Sequence, residues 1–396
     1  MQPLLMLKQT LDVSYDPGAL LLDGPHVKFT AADQVLSRAG GEAAVAGFSV
    51  QVETGAEKTR LLFARGAKSL DVVRMDSGHG ASAFTLTPGM KDNDIKSVLP
   101  LHLRLVSEAL ERVGRTSTWK VVRNRCFLVA EVGVEQSEGG EKFRVKVSGI
   151  ANVEKAIGEV IHLPGLRGNP ERSYPLTAVE SCFQGTFDRY TASIIDQWQS
   201  QGEEERLQSL GENLKQLGLT WKVATVRRDD TQVELQVGRL PSRCVGGEED
   251  LVNIADVGFG VSQTLPVLVA LLIAEPGQLV YLEQPEIHLH PRAQAALARP
   301  LLAAAARGVR VVVETHSSLL LLGIQTLVAE GAEADLVKLH WFTRNADTGY
   351  TQITSSDLDE LGRFEMDWPE DFAEISMMAE GRYLDAVEQR QLAGAD

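Results

Sequence analysis

Three short segments in the second half of the chain carry side chains suited to phosphate chemistry. One contains Gly258 and Gly260, which would let backbone N–H groups approach an anion closely. Another ends an apolar run with Glu283 and Gln284, a carboxylate that can bind a metal ion and an amide that can orient water. The third ends an apolar run just before His316. Together these residue types predict a site for a phosphorylated ligand.

Two apolar runs and the helix between them must position these side chains. Residues 279–282 and 309–313 are typical of strands buried on both faces of a parallel sheet. Residues 292–307 are rich in Ala and Leu, Gly308 is placed to end a helix, and Pro300 predicts a kink or a break. Both strands of such a β-α-β unit end on one edge of the sheet, where ligands bind.

The order and spacing of the segments resemble the second half of an ABC-type ATPase head. The branch is that of the structural-maintenance-of-chromosomes (SMC) and overcoming-lysogenization-defect proteins, often described as AAA-type ATPases. Residues 256–263 resemble the signature motif, 279–284 resemble Walker B, and 288–291 resemble the D-loop. His316 resembles the switch histidine. Residues 366–372 resemble a C-terminal feature of one subfamily of bacterial, partly defence-linked ATPases.

The resemblance implies a fold and a function. The expected fold class is α/β, with an ABC-type P-loop NTPase-like core, a mixed or parallel sheet, an antiparallel β lobe and a helical insertion. The expected function is ATP binding and slow hydrolysis with Mg²⁺, which switches a homodimer and is coupled to a nuclease or another effector. The expected setting is phage defence or DNA transactions in the cytoplasm.

The resemblance also implies roles for single residues. Glu283 would hold the Mg²⁺ shell, where ABC ATPases usually carry Asp, and His316 would contact the γ-phosphate or the attacking water. Gln284 takes the place of the usual catalytic glutamate. Because an amide is no base for a water proton, slow hydrolysis is expected, and Glu286 and Glu314 are candidate substitute bases.

Further residues are implied to contact the nucleotide. Gln34 is a candidate for the glutamine loop that reaches the metal ion, although a surface glutamine is the alternative. In a head-to-tail dimer, four residues of the signature segment would reach the nucleotide of the opposite subunit: Gly258, Gly260, Ser262 and Gln263.

The phosphate loop of these ATPases, GxxxxGK[ST], does not occur in the 396 residues. Residues 2–11 are apolar at helical spacing and resemble the helix that follows this loop in the family. We therefore expect the loop upstream of Met1, with a genuine loss of the loop as the alternative. Either way, these residues lack the lysine and the backbone cradle for the β- and γ-phosphates.

The pattern predicts three regions along the chain. Residues 1–150 form an N-terminal lobe, 151–245 a helical insertion or lid with a hairpin, and 246–396 the ATPase core with an acidic tail. Further predicted elements are an antiparallel β lobe over 44–73, a helix over 95–113, strands over 121–134 and 142–147, helices over 187–217 and a hairpin over 221–237.

Charge is distributed unevenly. The net charge is −15, and residues 357–396 alone carry 12 acidic and 3 basic side chains. This balance argues against a general nucleic-acid-coating surface but leaves room for a local basic groove. Arg167 and Arg172 lie in a loop rich in Pro and Gly, where they would meet phosphate or a partner, or simply fix the loop in solvent.

Cysteine usage and hydropathy indicate a reducing compartment and no membrane span. The three cysteines, Cys126, Cys182 and Cys244, are far apart and form no CxxC pair, so free buried thiols are expected. No signal peptide is visible, and the longest apolar run is shorter than the ~18 residues of a membrane span.

Two alternative interpretations place the chain in other classes of protein than the ATPases. In one, Glu286, His288, His290 and His316 form a metal-dependent hydrolase centre, since His-x-His supplies two imidazoles and a carboxylate completes the set. In the other, the chain is an interaction protein that keeps the fold without using a nucleotide.

The absence of the phosphate loop generates the first prediction. The 396-residue chain should bind ATP weakly, because nothing in it cradles the β- and γ-phosphates. The same chain preceded by the in-frame codons upstream of Met1, called the extended chain below, should bind ATP tightly with Mg²⁺. Titration calorimetry on both proteins is the measurement, and tight binding by the 396-residue chain would contradict the prediction.

Overall fold

The structure is a computed structural model. It describes residues 1–36, 46–55, 57–67, 69–78, 80, 83–101, 104, 105, 109, 112, 115–136, 143–147, 150–240, 250–365 and 381–387. Parallel and antiparallel sheets alternate with helices along the chain, which confirms the predicted α/β class.

The first part of the chain forms an N-terminal lobe around two antiparallel sheets. The predicted β lobe and the N-terminal helix are confirmed, and the predicted helix over 95–113 is described as α2 and a few residues beyond it. Its elements are α1 (Gln2–Asp12), β1 (Gly47–Glu53), β2 (Lys58–Arg65), β3 (Leu70–Ser77), β4 (Phe84–Leu86), α2 (Asp92–Val98), β5 (Arg115–Asn124), β6 (Phe127–Gln136), β7 (Phe143–Val147) and α3 (Ala151–Gly158). The sheet orders are β1-β2-β3-β4 and β5-β6-β7.

The rest of the chain surrounds a three-stranded parallel sheet. Its elements are β8 (Ile161–Leu163), β9 (Tyr174–Pro175), α4 (Thr191–Gln201), α5 (Glu204–Gln216), β10 (Val223–Arg227), β11 (Gln232–Gly238), β12 (Leu251–Asn253), α6 (Phe259–Ile273), β13 (Leu279–Glu283), α7 (Pro291–Ala296), α8 (Ala298–Ala306), β14 (Arg310–Glu314), α9 (Ser318–Ala329), β15 (Lys338–Arg344) and β16 (Thr351–Asp357). The parallel sheet has the order β14-β13-β8, and the predicted hairpin is β10-β11.

β8 gives the parallel sheet a strand from the region predicted as a helical insertion. It pairs with β13 although it lies within residues 151–245. The helical part of that region is α4 and α5, which Gly202 separates in a left-handed conformation with φ 71°. The parallel sheet therefore contains strands from both residues 151–245 and residues 246–396.

The β-α-β unit forms as predicted, with two differences. The helix breaks at Leu297 and not at Pro300, because Pro300 lies in the first turn of α8, where no backbone N–H needs an intrahelical partner. β14 is not buried on both faces: Val312 is exposed, whereas Val280 and Leu282 of β13 are buried. In the described residues β14 pairs with β13 alone, so it is an edge strand.

β13 is shared between two hydrophobic cores. Val280 and Leu282 pack into the core formed by α4 to α9 and the sheets around them. Tyr281, which points to the opposite face, packs into the core of the N-terminal lobe. Because the two cores meet on β13, this strand determines where each core lies relative to the carboxyl end of the parallel sheet.

The thiol prediction is half right. Cys126 is buried in the N-terminal lobe, and burial raises the pKa of its thiol. Cys182 is exposed, because it lies in the loop between β9 and α4 and not in a core. Cys244 lies outside the described residues. In the part of the chain that is described, no helix is both long and apolar enough to cross a membrane.

Candidate functional site

The carboxyl edge of the parallel sheet brings the predicted catalytic residues together. Glu283 at the end of β13 is level with Glu314 at the end of β14. The N–H of Gln284 continues the ladder and donates to the Glu314 carbonyl over 2.8 Å. His316 follows two residues later, with its side chain exposed. The β-α-β register therefore places Glu283, Gln284 and His316 at one edge, as the sequence predicted.

Glu283 is a fixed, ionised carboxylate. Its Oε1 is 3.2 Å from His162 Nε2, and its Oε2 accepts a hydrogen bond from the Gly165 N–H over 3.1 Å. The hydrogen bond from His162 lowers the pKa of the carboxyl group, against the effect of partial burial. About 29% of the side chain is exposed, so its remaining lone pairs face the edge of the site. An oriented carboxylate of this kind suits Mg²⁺ or a water molecule in its shell.

Gln284 adopts a strained backbone conformation. Its φ is 41°, in the left-handed region of backbone conformation that residues other than glycine seldom adopt. Residues held in this region cluster at active sites, where the surrounding structure stabilises them. Here the carbonyl of Gln284 lies 3.5 Å from Arg167 Nη2 and its N–H is held by β14. These two contacts hold the backbone of Gln284 in this conformation.

Glu286 holds the end of the neighbouring strand. Its Oε1 accepts hydrogen bonds from Thr315 Oγ1 over 2.6 Å and from the His316 N–H over 3.1 Å. The residue is 5% exposed. These hydrogen bonds hold the backbone of His316 in place. Glu314, the other candidate base, accepts a hydrogen bond from Tyr281 Oη over 2.9 Å.

Arg167 is a buried member of the site, and not the solvated loop residue that was the alternative. It is 8% exposed, its Nη1 donates to the Pro164 carbonyl, and its Nε is buried without a hydrogen-bond partner. Burial lowers the pKa of the guanidinium, and Asp188, Glu286 and Glu283 oppose that effect. The sequence singled Arg167 out, but only the fold turns it towards the carboxylates.

Arg172 fixes the same loop to the signature segment. Its guanidinium makes a bidentate ion pair with the Asp256 carboxylate, with distances of 2.7 and 3.3 Å, and its carbonyl accepts from Asn253 Nδ2 over 2.8 Å. The Asn253 side chain also caps the short helical turn that precedes α6. The loop after β8 therefore contacts both the turn after β13, at Glu283 and Gln284, and the segment that resembles the signature motif, at Asp256.

The signature segment leads into the N-terminus of α6. Gly258 is the exposed N-cap residue, and Phe259 after it is 50% exposed. The Phe259 ring lies 6.0 Å from the ring of His288, so the signature segment and the D-loop are neighbours on the surface. A Cβ atom added at Gly260 would lie 3.2 Å from Leu219 Cδ2, whereas one added at Gly258 would meet nothing.

Two of the predicted nucleotide contacts are used within the chain. Gln263 is 2% exposed and its Nε2 donates to the Gly168 carbonyl over 2.9 Å, so it cannot reach a partner without leaving the core. Ser262 Oγ donates to the Phe259 carbonyl in its own helix. Gly258 and Gly260 remain the residues of this set with backbone near the surface.

Two other predictions, the contact of Gln34 with the metal ion and the alternative metal centre, do not match the positions of the side chains. Gln34 is exposed and its amide hydrogen bonds with Thr30 in its own turn. His290 accepts a hydrogen bond from the Arg292 N–H at the start of α7. Among the residues that the structure describes, no three His, Cys, Asp or Glu side chains are placed to hold a metal ion. The alternative hydrolase centre of Glu286, His288, His290 and His316 is therefore not formed.

The sequence analysis missed His162. It is 1% exposed and lies in β8, between two residues of the core. A single histidine inside an apolar run of three to four residues was the available signal, but the sequence does not reveal which strand lies beside it. Its contact with Glu283 depends on the pairing of β8 with β13, which is separated from it by more than a hundred residues.

The parallel sheet and the helices around it form the α/β fold that the resemblance to ABC-type ATPases implies, and a comparison with known families points the same way. Residues 156–322 match the model of a family described as "AAA domain, putative AbiEii toxin, Type IV TA system". This stretch contains all three strands that the structure describes in the parallel sheet, together with residues 256–263, the turn after β13 and His316. The match covers less than half of the chain and supports the resemblance of this part to ATPases of the AAA-described class.

Solved SMC head domains are also similar. The SMC head of Thermotoga maritima has 11% identity and a TM-score of 0.29, covering 61% of this chain and 74% of that chain. An SMC head bound to the C-terminal winged-helix domain of ScpA has 11% identity and a TM-score of 0.35, covering 58% and 69%. An SMC head with an extended coiled coil, bound to the C-terminal domain of ScpA from Pyrococcus furiosus, has 8% identity and a TM-score of 0.31, covering 73% and 78%. No curated protein matches the chain.

The different surroundings of the two signature glycines generate the second prediction. Gly260→Leu should lower the free energy of unfolding by about 1–3 kcal/mol, because its side chain would be forced against Leu219. Gly258→Leu should change it by less than about 0.5 kcal/mol, because the position is open and its backbone suits any residue. Urea unfolding of both variants tests this, and equal losses would contradict the described packing.

Proposed function

We propose that the chain is an ATP-binding, slowly hydrolysing ABC-type ATPase that acts as a dimeric switch. The observation that carries the proposal is the constellation at the carboxyl edge: the ionised Glu283, the strained Gln284 and His316 on the adjacent strand end. These are the residue types that bind a metal ion, orient water and contact a γ-phosphate in nucleotide hydrolysis.

Each of the three residues has a distinct role in this proposal. Glu283 holds Mg²⁺ directly or through water, since both of its oxygens are oriented by hydrogen bonds and its pKa is lowered. Gln284 orients the attacking water with its amide, and its inability to take a proton makes turnover slow. His316 approaches the γ-phosphate from β14, with its backbone anchored by Glu286.

In the proposed dimer, the signature segment of one subunit completes the phosphate-binding site of the other. Gly258 and Phe259 offer the N-terminal backbone of α6, where a helix favours anions. The same surface carries exposed apolar side chains, Phe259 and Ile287, beside the D-loop residue His288. An exposed helix N-terminus with an apolar rim suits a partner subunit and its bound nucleotide.

The biological setting extends this proposal. The matched family is described by a putative AbiEii toxin and a type IV toxin–antitoxin system. We extend that description to a defence role for this chain, in which the ATP-dependent dimer controls an effector such as a nuclease. The acidic balance of the chain is consistent with a protein partner more than with a DNA-coating surface.

Dimerisation is the third prediction. The extended chain should dimerise in light scattering when ATP and Mg²⁺ are present. Gly258→Trp should abolish the dimer and leave monomer stability and ATP affinity intact, because the bulky ring blocks close approach to the partner's phosphates at an exposed position where an added Cβ atom meets nothing within 4 Å.

His316→Ala is the matched control for dimerisation. It should still form dimers, but its turnover should fall at least tenfold, because it removes a contact needed only for hydrolysis. A Gly258→Trp protein that dimerises and hydrolyses ATP like the wild type would show that the signature segment is only a structural turn.

Turnover by Gln284 variants is the fourth prediction. Gln284→Glu should raise the hydrolysis rate of the extended chain at least tenfold, because it supplies the missing base in the same backbone conformation. Gln284→Ala, which keeps neither a base nor a hydrogen-bonding group, should be slower than the wild type. Phosphate release under single-turnover conditions is the measurement. A slower Gln284→Glu protein would mean that the site is built around the amide and that another group serves as the base.

A further inference from the structure

A chain of buried polar side chains connects the N-terminal lobe to Glu283. His162 Nδ1 lies 2.8 Å from His26 Nδ1, and the other ring nitrogen of His26, Nε2, is 3.5 Å from Asp12 Oδ2. His162 Nε2 completes the chain at 3.2 Å from Glu283 Oε1. Both histidine side chains are fully buried. Two fully buried histidines therefore link Glu283 to the N-terminal lobe, whereas Asp12 is 12% exposed and makes no hydrogen bond with His26 Nε2.

The hydrogen bonds determine which atom of His162 faces the carboxylate as a donor. Carboxylate oxygens accept hydrogen bonds, and Glu283 Oε2 already accepts one from the Gly165 N–H, so in the 3.2 Å contact with Glu283 Oε1 the proton belongs to His162 Nε2. The two Nδ1 atoms share a single proton between them, since two protons would collide and two lone pairs would repel. His26 is therefore the group that satisfies the remaining nitrogen of His162, whichever ring holds that central proton.

The ring of His162 is also held from the side. It is stacked on Tyr281, with ring centroids 5.3 Å apart and planes 12° from parallel, and these two residues are partners in the β8–β13 register. Tyr281 in turn donates to Glu314. With its two nitrogens bonded and one face covered, His162 has one orientation, and that orientation aims Nε2–H at Glu283.

We propose that His162 is a positioning residue for Glu283 and that His26 holds His162 in the donor orientation. This proposal rests on the proposed role of Glu283 in the Mg²⁺ shell. Outer-shell partners of metal-binding carboxylates and histidines typically contribute 10–100-fold in metal affinity or activity. Because His26 belongs to the N-terminal lobe, the position of that lobe also determines how firmly His162 holds Glu283.

The first arm of the test needs no nucleotide and uses the 396-residue chain with ¹⁵N-labelled histidine. Long-range ¹H–¹⁵N spectra should show a solvent-protected N–H at His162 Nε2, assigned by its loss in His162→Gln. In His26→Phe, which removes the partner of Nδ1, this N–H should exchange with solvent rapidly. His26→Asn, whose amide can meet Nδ1 as donor or acceptor, should preserve it. Melting temperatures of the variants confirm that each is folded.

The second arm measures the Mg²⁺ concentration for half-maximal ATP hydrolysis by the extended chain, which is the fifth prediction. His162→Phe and His26→Phe should raise it about tenfold or more, while ATP affinity without Mg²⁺ stays unchanged, and His26→Asn should restore most of the loss. A merely structural role would lower stability without separating Mg²⁺ dependence from ATP affinity.

The two arms separate failure of this inference from failure of the proposed function. An unprotonated His162 Nε2 would overturn the inference even in an active ATPase. So would a protected N–H that persists in His26→Phe. An unchanged Mg²⁺ dependence in His162→Phe would overturn it as well. An extended chain that neither binds nor hydrolyses ATP would overturn the proposed function and, with it, the positioning role at a metal site, even if the spectra establish the His26–His162 contact.

Discussion

The parallel register of β13 between β8 and β14 is the constraint on which the site depends. It sets Glu283 level with Glu314, and Tyr281 level with His162. Because side chains alternate along a strand, Tyr281 and Glu283 point to one face and Leu282 to the other. A shift by one residue would exchange these faces, and would place the carboxylate in the hydrophobic core.

The same strand explains how two cores can serve one site. The core around α4 to α9 covers one face of β13, and the core of the N-terminal lobe covers the other. On the second face the contact is partly polar: Lys8 of α1 is fully buried and donates to the carbonyls of Gly158 and Phe183. A buried ammonium group is costly unless its hydrogen bonds are made, so these partners specify how α1 lies against the rest of the chain.

The loop after β8 has more than one task in this arrangement. Its backbone donates to Glu283 from Gly165, Arg167 is buried beside the Walker B turn, and Arg172 pairs with the signature residue Asp256. Loops positioned by a rigid sheet commonly carry functional residues. Here one loop contacts both Glu283 and Asp256, so a change at one of these carboxylates has a direct physical route to the other.

The sequence by itself determined the elements whose signals are local. The β-α-β unit, the glycine that ends its helix, the antiparallel β lobe and the β10–β11 hairpin follow from apolar periodicity and turn residues, and the order of the motifs identified the ATPase class. Only the tertiary structure decided which distant strands are neighbours. The β8–β13 pairing recruits His162, the packing of α6 withdraws Gln263 from the surface, and the edge position of β14 exposes Val312. These contacts depend on long-range packing, which no local pattern of residues encodes.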